Sequence, residues 1–172
     1  MKHVNAIVSL IGAAALCGSA LAGFAGQTIL GPLGPGSAVT GDTTGHGNDN
    51  DGWFSGDHIF DLWDGADDVW RLNWPGGDLS LVMTYDGPSS DDLDLFLYTP
   101  SDYDESSYDS FTDTGIETID VPGAAAGVYY ILVDCPAGAE GPYSLSVVPA
   151  PGAVGLATVG LLGFARRSRR GS

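Results

Sequence analysis

Gly127-Val128-Tyr129-Tyr130-Ile131-Leu132-Val133-Asp134, running on into Cys135, decides how this sequence of 172 residues folds. Between Gly127 and Pro136 the stretch is almost continuously apolar, β-branched or aromatic, and Asp134 is its only charge. A run of that length and composition, closed by turn residues, reads as a strand covered on both faces and central in its sheet. Moving outward, strict alternation takes over. Trp70, Leu72 and Trp74 share one strand face, Leu79, Leu81 and Met83 a second, and Leu93, Leu95 and Leu97 a third. Ile119 with Val121 is a weaker pair, and Tyr143, Leu145 and Val147 close the pattern. Turn signals separate the runs at Pro75-Gly76-Gly77, Asp86-Gly87-Pro88, Pro122-Gly123 and Pro136 to Gly141. No helical period exceeds two turns within residues 23–148. The expectation is an all-β fold, an antiparallel jelly-roll or β-sandwich.

Four pieces carry a family resemblance: Asp67-Asp68-Val69-Trp70-Arg71-Leu72, then Asp92-Leu93-Asp94-Leu95-Phe96-Leu97-Tyr98, then Gly127 to Asp134, then Gly141-Pro142-Tyr143-Ser144-Leu145-Ser146-Val147. In this order and spacing they resemble the bacterial pre-peptidase C-terminal (PPC) domain. That resemblance covers residues 67–148 and implies a small jelly-roll sandwich of the kind that follows secreted proteases and occurs in surface proteins. With no catalytic domain beside it, it also implies a non-catalytic role. Residues 23–66 form a Gly/Asp-rich first part of the mature domain.

Both ends read as addresses. Lys2 and His3, the apolar run Ala6 to Leu16, and the small-x-small site Ala20-Leu21-Ala22 make residues 1–22 a secretory signal peptide with its signal helix. Cleavage after Ala22 removes Cys17 and leaves Cys135, which continues the apolar pattern of its strand and is expected to pack as a small hydrophobe. At the far end, Pro149-Ala150-Pro151 precedes an uncharged run from Ala153 to Ala165 and the cluster Arg166-Arg167-Ser168-Arg169-Arg170. The run falls short of the ~20 residues of a comfortable membrane span. The layout of residues 149–172 resembles a PEP-CTERM sorting signal, with Ala150 where that signal carries glutamate. The resemblance implies export machinery and an exosortase-like processing enzyme as partners, a short apolar helix transiently in the membrane, and retention at the cell surface.

Charge narrows the function further. All 22 acidic residues lie between Asp42 and Glu140, where Arg71 is the only cation, so this segment carries a net −21 while the whole chain carries −16. Phosphate binding needs Lys and Arg, which excludes nucleic acid and disfavours anionic lipid. With 44% hydrophobic and 10% aromatic residues the chain has the means to build a core, so disorder is excluded too.

For catalysis the mature chain offers His46 and His58, no lysine and no G-x-S-x-G nucleophile elbow, so it is read as no enzyme, with a hydrolase ranked last among the readings. Of the 22 acids 19 are Asp, and short carboxylates in loops suit a hard cation. Asp49, Asp51, Asp64, Asp67, Asp68, Asp92 and Asp94 are the candidate calcium ligands; a solvated acidic coat explains the same residues. Asp94, alternating with Leu93 and Leu95, is expected to face outward or to pair with Arg71. Trp53 and Trp63 lie among Gly and Asp, where an exposed ring could stack on a sugar, with packing into the fold ranked ahead of that reading. Two functions therefore stand open: a surface-retained protein of biofilm matrix or adhesion, and a lectin-like module that binds polysaccharide with calcium.

Overall fold

The computed structural model describes residue 24 and residues 27–50, 63–87, 92–103 and 106–149, which contain nine strands and no helix. These are β1 (Ile29–Leu33), β2 (Ala38–Asp42), β3 (Asp68–Trp74), β4 (Gly77–Tyr85), β5 (Asp94–Tyr98), β6 (Tyr108–Ser110), β7 (Ile116–Ala124), β8 (Gly127–Asp134) and β9 (Pro142–Pro149). They form two sheets, ordered β1-β3-β8-β5-β6 and β2-β9-β4-β7. The all-β, two-sheet expectation holds. The signal peptide with its Ala20 and Ala22 site, and the tail with Pro151, Arg166, Arg167, Arg169 and Arg170, lie outside the described residues. Among the described residues no helix is long and apolar enough to cross a membrane.

The central place of the opening stretch follows from its chemistry. β8 sits in the middle of the five-stranded sheet, between β3 and β5, with Tyr129 to Asp134 all buried. Its inward side chains Tyr129, Ile131 and Val133 meet Trp70, Leu72 and Trp74 of β3 and Leu93, Leu95 and Leu97 around β5. Leu79, Leu81 and Met83 of β4, Ile119 and Val121 of β7, and Tyr143, Leu145 and Val147 of β9 close this layer from the second sheet. Each alternating set read from the sequence is a buried face of its strand, because a two-residue repeat puts alternate side chains on one side.

Two features depart from the expected antiparallel sandwich. β1 pairs with β3 in parallel, with Ile29 opposite Val69 and Leu30 opposite Trp70. A parallel neighbour requires a long crossover, and here the chain supplies it by passing through β2 in the other sheet before returning to β3. The second departure is a further apolar layer on the outer face of the five-stranded sheet. Phe24 and Trp63 cover Val69, Phe96, Tyr98, Tyr130 and Leu132 there. Phe24 lies 4.8 Å from Tyr98 edge-on and 5.0 Å from Tyr130 in a stacked arrangement.

Cys135 is wholly buried at the end of β8, and burial with the neighbouring Asp134 and Glu140 pushes its thiol up to about 12. The thiolate is the reactive form, so a thiol reagent should leave Cys135 unmodified in the folded protein and titrate it fully in denaturant. Leu81→Ala and Leu97→Ala, one from each sheet and each fully buried, should each lower unfolding free energy by about 2–5 kcal/mol in urea titrations.

Candidate functional site

β3 opens with two carboxylates that turn to opposite duties. Asp68 shares the inward face of Trp70 and Leu72, and is buried at the rim of the core. Its Oδ2 accepts the Tyr143 hydroxyl at 2.6 Å, its Oδ1 lies 2.7 Å from His46 Nδ1, and Tyr143 in turn accepts the Trp70 indole N–H at 2.7 Å. Burial and the Asp68 partner push the Tyr143 hydroxyl up, so it stays a proton donor. This chain joins β3 of one sheet to β9 of the other. Asp67 gathers the preceding loop instead: its Oδ2 accepts the backbone N–H groups of Asp49 (2.7 Å) and Asn50 (2.8 Å), and its Oδ1 accepts Asn50 Nδ2 (3.0 Å). Burial nonetheless raises its pKa, against the pull of those bonds. A cavity of about 310 Å³ lies beside this network, between Gln27 and His46.

A second cavity, of about 350 Å³, opens at the β5 end of the outer layer. Trp63, Phe111 and Pro136 supply its apolar wall, and Asp64, Asp92, Asp94 and Asp113 its polar one. The Trp63 ring stands edge-on to Phe96 at 5.3 Å and to Phe111 at 6.4 Å, and its indole N–H donates to Asp94 Oδ2. Gly65 makes this placement possible. Its N–H donates to the Cys135 carbonyl at 2.8 Å, and a Cβ there would stand 2.4 Å from Cys135 Sγ. Only a glycine lets the segment lie so close to the end of β8. Asp94 is the group that matters most for the charge of the cavity. Burial pushes its carboxyl up to about 7; the Trp63 hydrogen bond pulls against it, and Asp92, Glu117 and Asp113 each add a smaller repulsion. Asp92 is raised by burial and by Asp113.

The candidate ligands of the sequence reading therefore separate. Asp49, Asp67 and Asp68 meet at the first cavity; Asp64, Asp92 and Asp94 meet at the second. Asp51 and Trp53 lie outside the described residues, as does His58. Among the described residues no three His, Cys, Asp or Glu side chains converge closely enough to hold a metal ion, and Asp67 and Asp68 already spend their oxygens on hydrogen bonds. The described groups do not fit a calcium cage. For Trp63 the packed reading holds and the exposed sugar platform is corrected: it is 5% exposed, because the outer face of the sheet needs its ring as cover. Asp94 neither faces solvent nor pairs with Arg71; it lies on that covered face opposite Asp134 of β8, held by Trp63. Sequence alternation missed Asp113, Phe111 and the fully buried Glu117, which accepts the N–H and hydroxyl of Thr112 at 2.9 and 2.8 Å. Phe111 and Asp113 lie in the loop between β6 and β7, where no strand repeat marks them, and Glu117 extends the buried face of Ile119 and Val121 on β7 as an acid in an apolar register. His46 has an oriented Asp partner, but among the described residues no hydroxyl donates to its ring.

Residues 67–134 match the family described as the bacterial pre-peptidase C-terminal domain. Among solved structures the chain is similar to the pre-peptidase C-terminal domain of collagenase from Bacillus anthracis, at 18% identity, TM-score 0.47, covering 67% of this chain and 91% of that one. It is also similar to Aeromonas hydrophila PliG, a periplasmic inhibitor of g-type lysozyme, at 15% identity, TM-score 0.43, covering 70% and 96%. No curated protein matches the sequence.

Two measurements follow from the second cavity. Trp63→Ala should cost about 3–5 kcal/mol of stability, the loss of a buried ring rather than of a surface one. Asp94 carries its proton in the folded state at a pH where the unfolded chain has released it, since the folded value near 7 lies above the ordinary 3.8. Stability from this group therefore falls as pH rises from about 4 to about 7. Asp94→Asn, which keeps an acceptor for Trp63, should melt roughly 2–4 °C above the parent at pH 8 and converge with it near pH 4.

Proposed function

We propose that the chain is exported, is held at the cell surface or in the surrounding polymer, and works there as a non-catalytic β-sandwich in matrix structure or adhesion. The observation that carries this reading is the use made of its reactive groups. Where a hydrolase would aim a base at a substrate, the described imidazole is tied to the Asp68–Tyr143–Trp70 chain that joins the sheets. The one described thiol is sealed in the core. The family matched by residues 67–134 is typically extracellular and accessory to other domains, which supports the same reading. Export through the N-terminal signal, processing by an exosortase-like enzyme at residues 149–172, and contact with extracellular polysaccharide or other matrix belong to this proposal.

Calcium enters as a counterion to the acidic surface rather than as a caged ligand. A net −21 over Asp42 to Glu140 repels itself, and mobile cations screen it.

The decisive experiment is intact-mass analysis of the protein recovered from the surface of its host, together with biofilm assays of a deletion strain. The expected product begins after Ala22 and has lost Arg166 to Arg170, and the deletion strain forms less cohesive biofilm. A surface product that keeps the arginine cluster overturns the sorting step. For the cation question, Ca²⁺ and Mg²⁺ at matched ionic strength should raise Tm to within about 2 °C of each other, as screening requires. A rise specific to Ca²⁺ would establish a caged site instead.

A further inference from the structure

We infer that the outer face of the four-stranded sheet is a self-association surface, and that its occupant is the same face of a second copy of this chain. The inference rests on the attachment role proposed above and gives it a partner. Register builds the face. Leu79, Leu81 and Met83 of β4, Ile119 and Val121 of β7, and Tyr143, Leu145 and Val147 of β9 turn into the core, so the residues between them turn outward. Val82 of β4 stands opposite Ser146 of β9 and Thr118 of β7, Thr84 opposite Ser144 and Ile116, and Ser80 opposite Val148 and Asp120. Ile116, Val82 and Val148 therefore fall on one diagonal that crosses three strands, with Val82 at its middle. Ile116 is 52% and Val148 42% exposed, two of the four large apolar side chains that stand exposed among the described residues. Serine and threonine flank the diagonal on both sides.

Three observations favour a second copy. The first is charge. The segment from Asp42 to Glu140 carries a net −21, so two copies repel each other in general. On this face the acids Asp42, Asp78 and Asp120 stand at strand ends or on the edge strand β7, and the rows between them hold none. Its middle lets two copies meet without setting acid against acid. The second is symmetry. A two-fold axis through Val82 lays the diagonal on itself, so Val82 meets Val82 and Ile116 of each copy meets Val148 of the other. A closed two-fold contact requires such self-complementarity. The third is what the face lacks. No aromatic ring points outward from these strands to stack on a sugar, and no charge stands in the middle to hold an ionic partner. Strand rise and spacing of about 3.4 and 4.8 Å give the face roughly 500 Å² per copy. Two copies bury on the order of 1,000 Å², the lower limit of a specific contact, so the dimer is weak in dilute solution. Copies held side by side at a surface meet at far higher effective concentration, where a weak contact is enough.

The test is sedimentation equilibrium of the exported protein from about 20 µM to about 1 mM, the range that a contact of this size calls for. The expected result is a reversible rise in mass that levels at twice the monomer and strengthens as NaCl screens the remaining repulsion. Thr84→Glu and Thr118→Glu, exposed positions on either side of the diagonal, should each weaken the dimer about 5-fold or more with Tm unchanged, since each copy sets a new charge against the other. Ser101→Glu, an exposed position between β5 and β6 of the other sheet, should leave the dimer as in the parent. A protein that stays monomeric throughout that range, a mass that climbs without levelling, or equal weakening by Ser101→Glu would each overturn the proposal. So would a monomer retained on the host's extracellular polysaccharide through the same threonines, which makes the polymer the occupant. The mass of the surface product and the biofilm of the deletion strain are read without the dimer, so failure here is distinct from failure of the surface role.

Discussion

A five-stranded sheet whose middle strands are apolar on both sides must be covered on both sides, and the structure is organised around that requirement. The second sheet covers one face of β8 and β5. The other face is left to short segments from elsewhere in the chain, which supply Phe24 and Trp63. Burying a large aromatic side chain is worth about 1.5–3 kcal/mol by area alone, so these two rings are a substantial part of what a domain of this size has to hold it together. The same cover carries a cost. Asp94 and Asp134 stand on the covered face as cross-strand partners, both buried. The sheet tolerates them because each has a donor: the Trp63 indole for Asp94 and the Cys135 N–H, at 2.8 Å, for Asp134.

Seen this way the acidity of the domain has three separate roles. Asp67, Asp68 and Glu117 are structural acceptors whose oxygens are filled by the backbone, by Tyr143 and by Thr112. Exposed acids such as Asp42 and Asp78 accept the N–H groups of Thr44, two residues on, and of Gly123 on β7, at 2.9 and 2.8 Å. At the second cavity Asp64 and Asp113 are exposed while Asp92 and Asp94 are half-buried and buried, and burial first, then repulsion from neighbouring acids, raises the pKa of Asp94 and Asp92. A composition of 19 aspartates cannot distinguish these roles; only the positions of donors can.

The core strands were legible because burial on one face leaves a two-residue repeat, as in Leu79-Leu81-Met83 and Tyr143-Leu145-Val147. β1 and β2 were not, and for a physical reason. Ile29–Leu33 contains Gly31-Pro32, and Ala38–Asp42 contains one bulky apolar residue, Val39. Both are edge strands that borrow their order from β3 and β9 and need little apolar pattern of their own. The covered outer face was legible in principle. Val128 to Cys135 reads as a strand buried on both sides, and such a strand obliges something outside the second sheet to lie against it. Nothing in the surroundings of Trp63, between Leu62 and Asp64-Gly65, names it as that cover. Asp94 was placed outward on the assumption that a sandwich wets its outer faces, and the second apolar layer removes that assumption.

Gly65 connects these arguments. Its backbone closes on the Cys135 carbonyl, Cys135 Sγ reaches the Ala66 carbonyl at 3.4 Å, and two residues later Asp67 anchors the loop at Asp49 and Asn50. Along the chain from Trp63 to Asp68, Trp63 is thus bonded to β5, Gly65 and Ala66 to the end of β8, Asp67 to the loop at Gly47–Asn50, and Asp68 to β9. That bracing fixes Trp63 over Phe96 on one side and Asp68 under Tyr143 on the other. Both cavities flank this single segment, so their shapes are set by one short stretch of backbone.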